Sequence, residues 1–512
     1  MKNIIIGLSV LLLSACFVGC TDDFEAIDTK DGVVNSGEPA WLFVQMLQTP
    51  RQNYQRNTNL YDDFYAQYWS NIVSGFESPR YEYVNGWIGN QWIEFYTQEL
   101  VDANFIKSNF GDDPAFANAV NISEIWMVHE WARMAATYGD IPYFDAGNGV
   151  QVPYNTEEEI YDDLFDRLDV AIAALDAGDA SQYSYGSSDL FFNGDVEKWK
   201  RFGNSLRLRL GMRLANVAPA KAEEEVKKGI AGGVMQSNDD VARIPFQKDT
   251  WFDYLDKMAW DWNNIRASKT FTNYLYNQST VNEDPRAWRW FTYKESSPLF
   301  GSSKIVGVEN GYDVLPDDAS DFATINMTGT FIDFAKDLGN DPIVYMPIMY
   351  YTEVLFLQAE AALRGWGSGD PDDLMRQGIQ ASMDYVGVDA ADAQAYIDGV
   401  SALDGSNEEK LKKIITHKWI SNFPNGIEAW ADFRRTDYPD ITLPIDGVSG
   451  SASVASGTWV KRIRYPDNAH EFDSELMPSS KNTIESDRMD IRLWWDVADT
   501  KDKTSGLMNS NF

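Results

Sequence analysis

The 512-residue chain contains little cysteine, little histidine and no net positive charge. Its 2 cysteines, Cys16 and Cys20, both lie within the first twenty residues, which excludes a disulfide framework in the rest of the chain. The 3 histidines, His129, His417 and His470, lie far apart in the sequence and lack the spacing of paired metal ligands. Nucleophile-elbow, phosphate-binding and dinucleotide-binding motifs are also missing, so no catalytic residue, metal site or cofactor is predicted.

The balance of charge excludes a further class of function. Lys and Arg number 43 and Asp and Glu number 78, which gives a net charge of −35. Because neutralisation of phosphates by Lys and Arg dominates affinity for nucleic acid, such an acidic chain is not expected to bind it.

Beyond the leader, no segment has 18 consecutive apolar residues, so no transmembrane helix is predicted. At 44% hydrophobic residues, however, the chain can bury a large core.

The first twenty residues have the pattern of an export signal. Lys2 precedes an apolar run over 4–13, and small residues stand just before each cysteine. This pattern predicts a lipoprotein signal peptide over 1–19 with Cys20 as the acylated residue. Cys16 is the alternative lipidation site, and an ordinary signal peptide is a second alternative. Residues 20–40 are polar and are expected to form a lipidated tether, which makes the membrane a partner through the N-terminus.

Helical periodicity dominates the remaining residues. The clearest helix is expected over 157–177, where Thr156 and Glu159 form a capping box and Gly178 ends the helix. Similar patterns predict helices over 116–137, 196–217, 347–365 and 408–422, and aromatic spacing suggests others over 40–56, 59–75 and 87–108. Adjacent pairs of such helices favour a mainly α fold with a tetratricopeptide-like scaffold.

Long irregular stretches separate the helices. We expect one body over 41–512, in which 41–232 and 347–423 form the scaffold. Residues 233–346 and 424–512 are then a large irregular, loop-rich half with minor β-structure. Loops of this length in a compact protein are usually functional, which places ligand and partner contacts in this half.

Aromatic residues are abundant, with 18 Trp, 25 Tyr and 27 Phe. Trp and Tyr can stack on the apolar faces of sugar rings at little conformational cost. Rings at helical spacing are more often core, so the candidates are those outside the strongest helices, together with their polar neighbours. The predicted ligand-binding residues are Arg80, Tyr83, Trp87, Asn90, Trp92, Trp260, Trp262, Trp288 and Trp290.

Charged clusters have plainer explanations. Close acidic pairs arise by chance among so many carboxylates, and they do not identify a glycosidase. Calcium in an acidic loop such as 315–318 is possible but not predicted, since the spacing of an EF-hand is missing. The basic residues Arg207, Arg209 and Arg213 crowd one predicted helix, where ion pairing with neighbouring helices is favoured over a partner site.

Several motifs, taken in order, resemble the SusD/RagB family of nutrient-binding outer-membrane lipoproteins of Bacteroidota. The first is the acidic start that follows Cys20. The others are YGDIPY (138–143), WKRFGNSLRLR (199–209), YTEVLFLQAEA (351–361), WADFRRTDYP (430–439), RIRYP (462–466) and WWD (494–496).

The resemblance implies a fold of tetratricopeptide-like helices with an irregular half packed on them. It also implies a non-catalytic cell-surface lipoprotein that binds an oligosaccharide and delivers it to a SusC-like TonB-dependent transporter. A peptide-binding, RagB-like member is the alternative, followed by an all-helical glycosidase. The motifs themselves are expected to be structural, so no binding residue is transferred from them.

Overall fold

The computed structural model describes residues 38–500 and 510–512, except 75, 150, 248–253, 256, 282, 327–331, 338–341, 448–453 and 456. The signal peptide, Cys16, Cys20 and nearly all of the predicted tether therefore lie outside the described residues. Among the residues described, no helix is long and apolar enough to cross a membrane.

Helices supply most of the regular structure. They are α1 (Pro39–Gln52), α2 (Asn85–Ile88), α3 (Asn90–Glu94), α4 (Leu100–Phe110), α5 (Ala117–Tyr138), α6 (Glu157–Ala174), α7 (Val196–Arg213), α8 (Pro219–Gly232), α9 (Lys269–Tyr274), α10 (Ala287–Trp290), α11 (Tyr351–Leu363), α12 (Pro371–Tyr385), α13 (Ala390–Gly399), α14 (Asn407–Ser421), α15 (Gly426–Thr436) and α16 (Asp467–Asp473). π-Helical turns occur at Gln55–Asp63, Phe95–Glu99 and Lys257–Asp261.

The strands are short and antiparallel. They are β1 (Trp69–Asn71), β2 (Ile141–Pro142), β3 (Tyr154–Asn155), β4 (Ala242–Gln247), β5 (Ile265–Ala267), β6 (Phe291–Thr292), β7 (Thr324–Ile325), β8 (Ile332–Asp337) and β9 (Pro342–Met349). β4, β9 and β8 form a three-stranded sheet in that order, and the pairs β1–β5, β2–β3 and β6–β7 form two-stranded ribbons. The prediction of a mainly α fold with minor β-structure is confirmed.

Local signals located several helices well. Thr156 and Glu159 form the expected capping box: the Glu159 amide donates to Thr156 Oγ1 at 3.3 Å and the Thr156 amide to Glu159 Oε2 at 2.9 Å. The predicted end of this helix, at residue 177 before Gly178, is wrong. The helix ends at Ala174, and Leu175 already has an extended backbone. The helices predicted over 116–137 and 408–422 are α5 and α14, each shifted by about one residue.

Other boundaries also differ from prediction. The helix expected over 347–365 starts only at Tyr351, because the β-branched and aromatic residues before it pair as β9 with β4. The half that begins at residue 424 is not entirely irregular, since α15 forms there and packs on the scaffold. The region 59–75 contains a π-helical turn and β1 instead of one α-helix.

Ion pairs inside the helical scaffold join its helices. Arg209 on α7 donates to both carboxylate oxygens of Glu353 on α11, at 2.7 and 2.6 Å, and the two side chains are 2% and 0% exposed. Arg213 on the same helix pairs with Glu428 on α15. Ion pairing of these basic residues, the preferred interpretation of their clustering, is therefore confirmed.

The Arg209–Glu353 pair generates a stability prediction. Removing one partner leaves a buried charge without compensation, which costs about 3–5 kcal/mol. We expect Arg209→Met and Glu353→Gln each to lower the thermal midpoint markedly, as measured by calorimetry or circular dichroism. Lys227→Met is the control, because Lys227 pairs with Glu223 at an exposed position on α8 where about 0–1 kcal/mol is at stake. An equal effect of buried and exposed substitutions would contradict the prediction.

Candidate functional site

Two segments that are distant in the sequence meet through β1 and β5. These strands pair with Trp69 opposite Ala267, and just beyond them the Ile72 amide donates to the Asn264 carbonyl at 2.9 Å. Four residues further along, Phe76 packs on Trp87 with ring centroids 5.2 Å apart. Because four extended residues span at most about 14 Å, Ile72 beside the Asn264 loop and Phe76 beside Trp87 lie in the same part of the molecule.

Three tryptophans in the 257–326 region are at or near the surface. Trp262 is 43% exposed and Trp288 is 37% exposed, whereas Trp260 is half-buried. The Trp260 indole donates to the Ile325 carbonyl at 3.0 Å, and the next residue, Asn326, donates to the Trp288 carbonyl at 3.0 Å. The last residue of β7 and the residue that follows it therefore hold Trp260 and Trp288. We call Trp260, Trp262 and Trp288 the tryptophan platform.

Polar side chains border the tryptophan platform. Asn263 Oδ1 accepts from Lys294 Nζ at 2.7 Å and from Arg266 Nη2 at 2.6 Å. The Lys294 ammonium also lies 5.0 Å from the centre of the Trp260 ring. Burial, together with the nearby Arg266, lowers the pKa of Lys294, and burial lowers the pKa of Arg266 to about 10. Lys294 is therefore held by an amide oxygen beside the Trp260 ring, where it is suited to bonding hydroxyl groups, whereas Arg266 is fully buried.

Lys294 and Arg266 were not predicted as site residues, because isolated basic residues in an irregular stretch have no motif. Asn263 directly follows the Trp260–Trp262 cluster in the sequence, and this adjacency is the one signal that could have identified it. Its positive φ of 54° turns the chain at this point.

The N-terminal group of predicted site residues is only partly available. Arg80 is held by Glu77 and Asp313, each at 2.6 Å, and it also donates to the Asp446 carbonyl at 3.2 Å. It therefore joins three loops, and a ligand would have to compete for its guanidinium. Trp87 is half-buried against Phe76 and keeps part of its ring at the surface.

Two more members of this group have partners within the protein. The Tyr83 ring lies 4.1 Å from the Arg464 guanidinium carbon, and its hydroxyl donates to Asn85 Oδ1 at 3.1 Å. Asn90 is half-buried and donates to Asn57 Oδ1 at 2.9 Å. As ligand contacts, these residues remain predictions.

Trp92 and Trp290 require a correction, because both rings belong to the core. Trp92 is 8% exposed and packs against several tyrosines, among them Tyr138 and Tyr465. Trp290 is 1% exposed and lies 5.2 Å from Phe423 between ring centroids. Neither ring offers a face to a ligand. Helical spacing explains the error, since Trp288 and Trp290 lie on the single turn of α10 and point to different sides.

An internal cavity beside Arg51, His129 and Asn425 measures about 10 Å³, which is enough for about one water molecule. Within the described ranges, no group of three or more His, Cys, Asp or Glu side chains could hold a metal ion.

The comparison with known proteins identifies the family. Residues 33–466 match the SusD-like family described as "starch-binding associating with outer membrane". The chain belongs to this SusD-like family. The description names binding rather than a reaction, which confirms the prediction of a non-catalytic protein. No curated protein sequence matches the chain.

Solved structures of SusD homologues have the same fold. A chitin-binding SusD homologue from Flavobacterium johnsoniae is 29% identical, with a TM-score of 0.75 and coverage of 92% of this chain and 98% of that one. A second chitin-binding protein is 27% identical, with a TM-score of 0.75 and coverage of 90% and 100%. A SusD homologue from Parabacteroides distasonis is 26% identical, with a TM-score of 0.75 and coverage of 93% and 100%.

The recognisable motifs of this SusD-like chain are structural, as expected. In YGDIPY (138–143), Gly139 ends α5 with φ +87°, and Asp140 Oδ1 accepts from the Glu157 amide at the start of α6. The RIRYP motif (462–466) packs on it, because Arg462 donates to the Tyr138 carbonyl at 2.9 Å and Tyr465 to the Asp140 carbonyl at 2.6 Å.

The different positions of Trp288 and Trp290 can be tested by stability. We expect Trp290→Ala to lower the free energy of unfolding by about 3–5 kcal/mol, because it empties a core position. Trp288→Ala removes a ring that is 37% exposed, and it should cost far less. Denaturant unfolding followed by circular dichroism measures both. Equal losses would show that Trp288 is a core residue too.

Proposed function

We propose that this SusD-like chain is a non-catalytic, cell-surface lipoprotein that binds oligosaccharides and delivers them to a SusC-like TonB-dependent transporter of the outer membrane. The observation that carries the glycan-binding part is the tryptophan platform, in which the half-buried Trp260 ring lies beside the Lys294 ammonium and the Trp262 and Trp288 rings are exposed. Flat rings stack on the C–H faces of sugars, and the neighbouring polar groups bond their hydroxyls.

The chemistry of the platform supports a neutral glycan. Asp261 lies near Lys294, and Asp321 lies near the buried Arg266, so each cation has a carboxylate close by that offsets its attraction for a free anion. The Asn263 Nδ2 amide makes no hydrogen bond to a described residue and is available as a donor. Two of the similar structures are described as chitin-binding, which makes chito-oligosaccharides the first ligands to test.

We expect Trp262→Ala and Trp288→Ala each to weaken oligosaccharide binding at least about tenfold, roughly 1.4 kcal/mol, because each removes a stacking face. Isothermal titration of the purified chain with chitohexaose and maltohexaose measures the loss. Trp41→Ala is the matched control, since Trp41 is 74% exposed on α1, outside the platform. The same loss in all three variants, or in none, would contradict the assignment.

The ligand class is decided in the same titration. Heat from an unstructured peptide mixture, with none from either hexasaccharide, would replace the glycan proposal with the peptide-binding alternative. Release of reducing ends from a hexasaccharide during incubation would contradict a purely binding role.

The lipid anchor is tested by paired cysteine substitutions in the full chain with its leader. We expect Cys20→Ala to prevent acylation and move the protein from the membrane to the soluble fraction, because the tether then lacks its acyl chains. Cys16→Ala should leave the protein in the membrane. Fractionation, with mass spectrometry of the N-terminal peptide, measures both outcomes. The opposite pattern would assign lipidation to Cys16.

Membranes that contain the acylated protein also test its partnership. Purification of the tagged wild-type chain from detergent-solubilised outer membranes should recover a TonB-dependent transporter in near-stoichiometric amount. A monodisperse monomer free of such a transporter would remove the delivery part of the proposal and leave glycan binding intact.

A further inference from the structure

The helical scaffold contains a cleft outside the irregular half. It has a volume of about 280 Å³ and lies among α4, α5, α6 and the loop after β2. Residues 100–167 line it, whereas the tryptophan platform comes from residues 260–288. Its walls carry Asn104, Lys107, Glu124, Tyr143, Asp163 and Arg167. We call it the scaffold cleft.

A chain of hydrogen bonds orders the polar wall of the scaffold cleft. Arg167 Nε donates to Glu124 Oε1 at 2.5 Å, and its Nη1 donates to the Tyr143 hydroxyl at 2.8 Å. That hydroxyl in turn donates to Asp163 Oδ2 at 2.6 Å. Burial acts to raise the pKa of Glu124, but Arg167 outweighs it and lowers this pKa, so the pair is ionised. The wall is therefore set in place before any ligand arrives, which reduces the ordering cost of binding.

The formal charges in the scaffold cleft cancel. Lys107 and Arg167 are balanced by Glu124 and Asp163. An ionic ligand would meet attraction and repulsion together, whereas a neutral polyhydroxyl compound can both donate to the carboxylates and accept from the cations. Asn104 adds an exposed amide that makes no hydrogen bond to the described residues.

An aromatic rim completes the scaffold cleft. Phe144 is 51% exposed, and its ring lies edge-on to Tyr143, with centroids 4.9 Å apart and an interplanar angle of 80°. Trp131 supports Tyr143 from beneath, with centroids 4.7 Å apart. The backbone here is fixed, because the Tyr143 and Phe144 amides both donate to Asn155 Oδ1 at 3.1 Å. The exposed Phe144 ring is thus carried on a fixed backbone and offers a face on which a sugar can stack.

We propose that the scaffold cleft is a second carbohydrate site, separate from the tryptophan platform, which takes one or two rings of a neutral glycan. This inference rests on the proposed glycan-binding function. The size follows from the volume, which lies just below the range of about 300–1,000 Å³ for small-molecule sites. A long polysaccharide held at both sites would dissociate more slowly than one held at either alone.

Two disaccharide probes, chitobiose and maltose, test the proposal with the intact mature chain. We expect one of them to bind with two equivalents in isothermal titration. Phe144→Ala and Asn104→Leu should each lower the affinity of one of the two bound disaccharides at least tenfold and leave the affinity of the other unchanged. Trp262→Ala should do the reverse. Both cleft variants alter exposed side chains, so their thermal midpoints should match that of the wild type.

Each outcome separates this inference from the proposed function. A single equivalent that is lost in Trp262→Ala and unchanged in Phe144→Ala overturns the scaffold cleft and leaves the platform standing. A single equivalent that is sensitive only to Phe144→Ala and Asn104→Leu supports the cleft and removes the platform. Absence of binding by either disaccharide, together with failure of the hexasaccharides, overturns both.

Discussion

The structure depends on charges that have been removed from water and must therefore remain paired. Burial alone would raise the pKa of Glu360 and Glu428, yet basic neighbours hold both at about 2. Each such pair is expensive to break, because the remaining partner has no access to solvent. The pairs join α7, α11, α14 and α15: Arg209–Glu353, Arg213–Glu428, Arg435–Glu360 and Lys418–Asp432.

This network also explains why the family motifs occur where they do. Arg209 ends the WKRFGNSLRLR segment, Glu353 and Glu360 lie in YTEVLFLQAEA, and Arg435 lies in WADFRRTDYP. Motifs that are far apart in the chain thus each supply one partner of the same buried ion pairs. Their resemblance to a family therefore concerns the scaffold, whereas the tryptophan platform lies outside these motifs.

The scaffold could be predicted from the sequence because its signals are local. A capping box and a stripe of apolar residues need only one turn or one helix face, as at Thr156 and Glu159. The candidate site could be predicted only in part. Trp262 and Trp288 reach the surface, whereas Trp290 is covered by Phe423, and such packing depends on contacts more than a hundred residues away. No local sequence pattern identified Lys294 or the scaffold cleft. Lys294 is bonded by Asn263 from another segment, and the walls of the cleft come from several helices and a loop.

The single turn of α10 couples the surface to the core through two residues, Trp288 and Trp290. With one ring anchored among core aromatics, the other has little freedom to shift along the chain. Insertion or deletion of one residue between them would rotate Trp288 away from its place or pull Trp290 out of the core. The α10 segment should therefore vary by substitution, whereas changes of length should be better tolerated in the exposed loops of the irregular half.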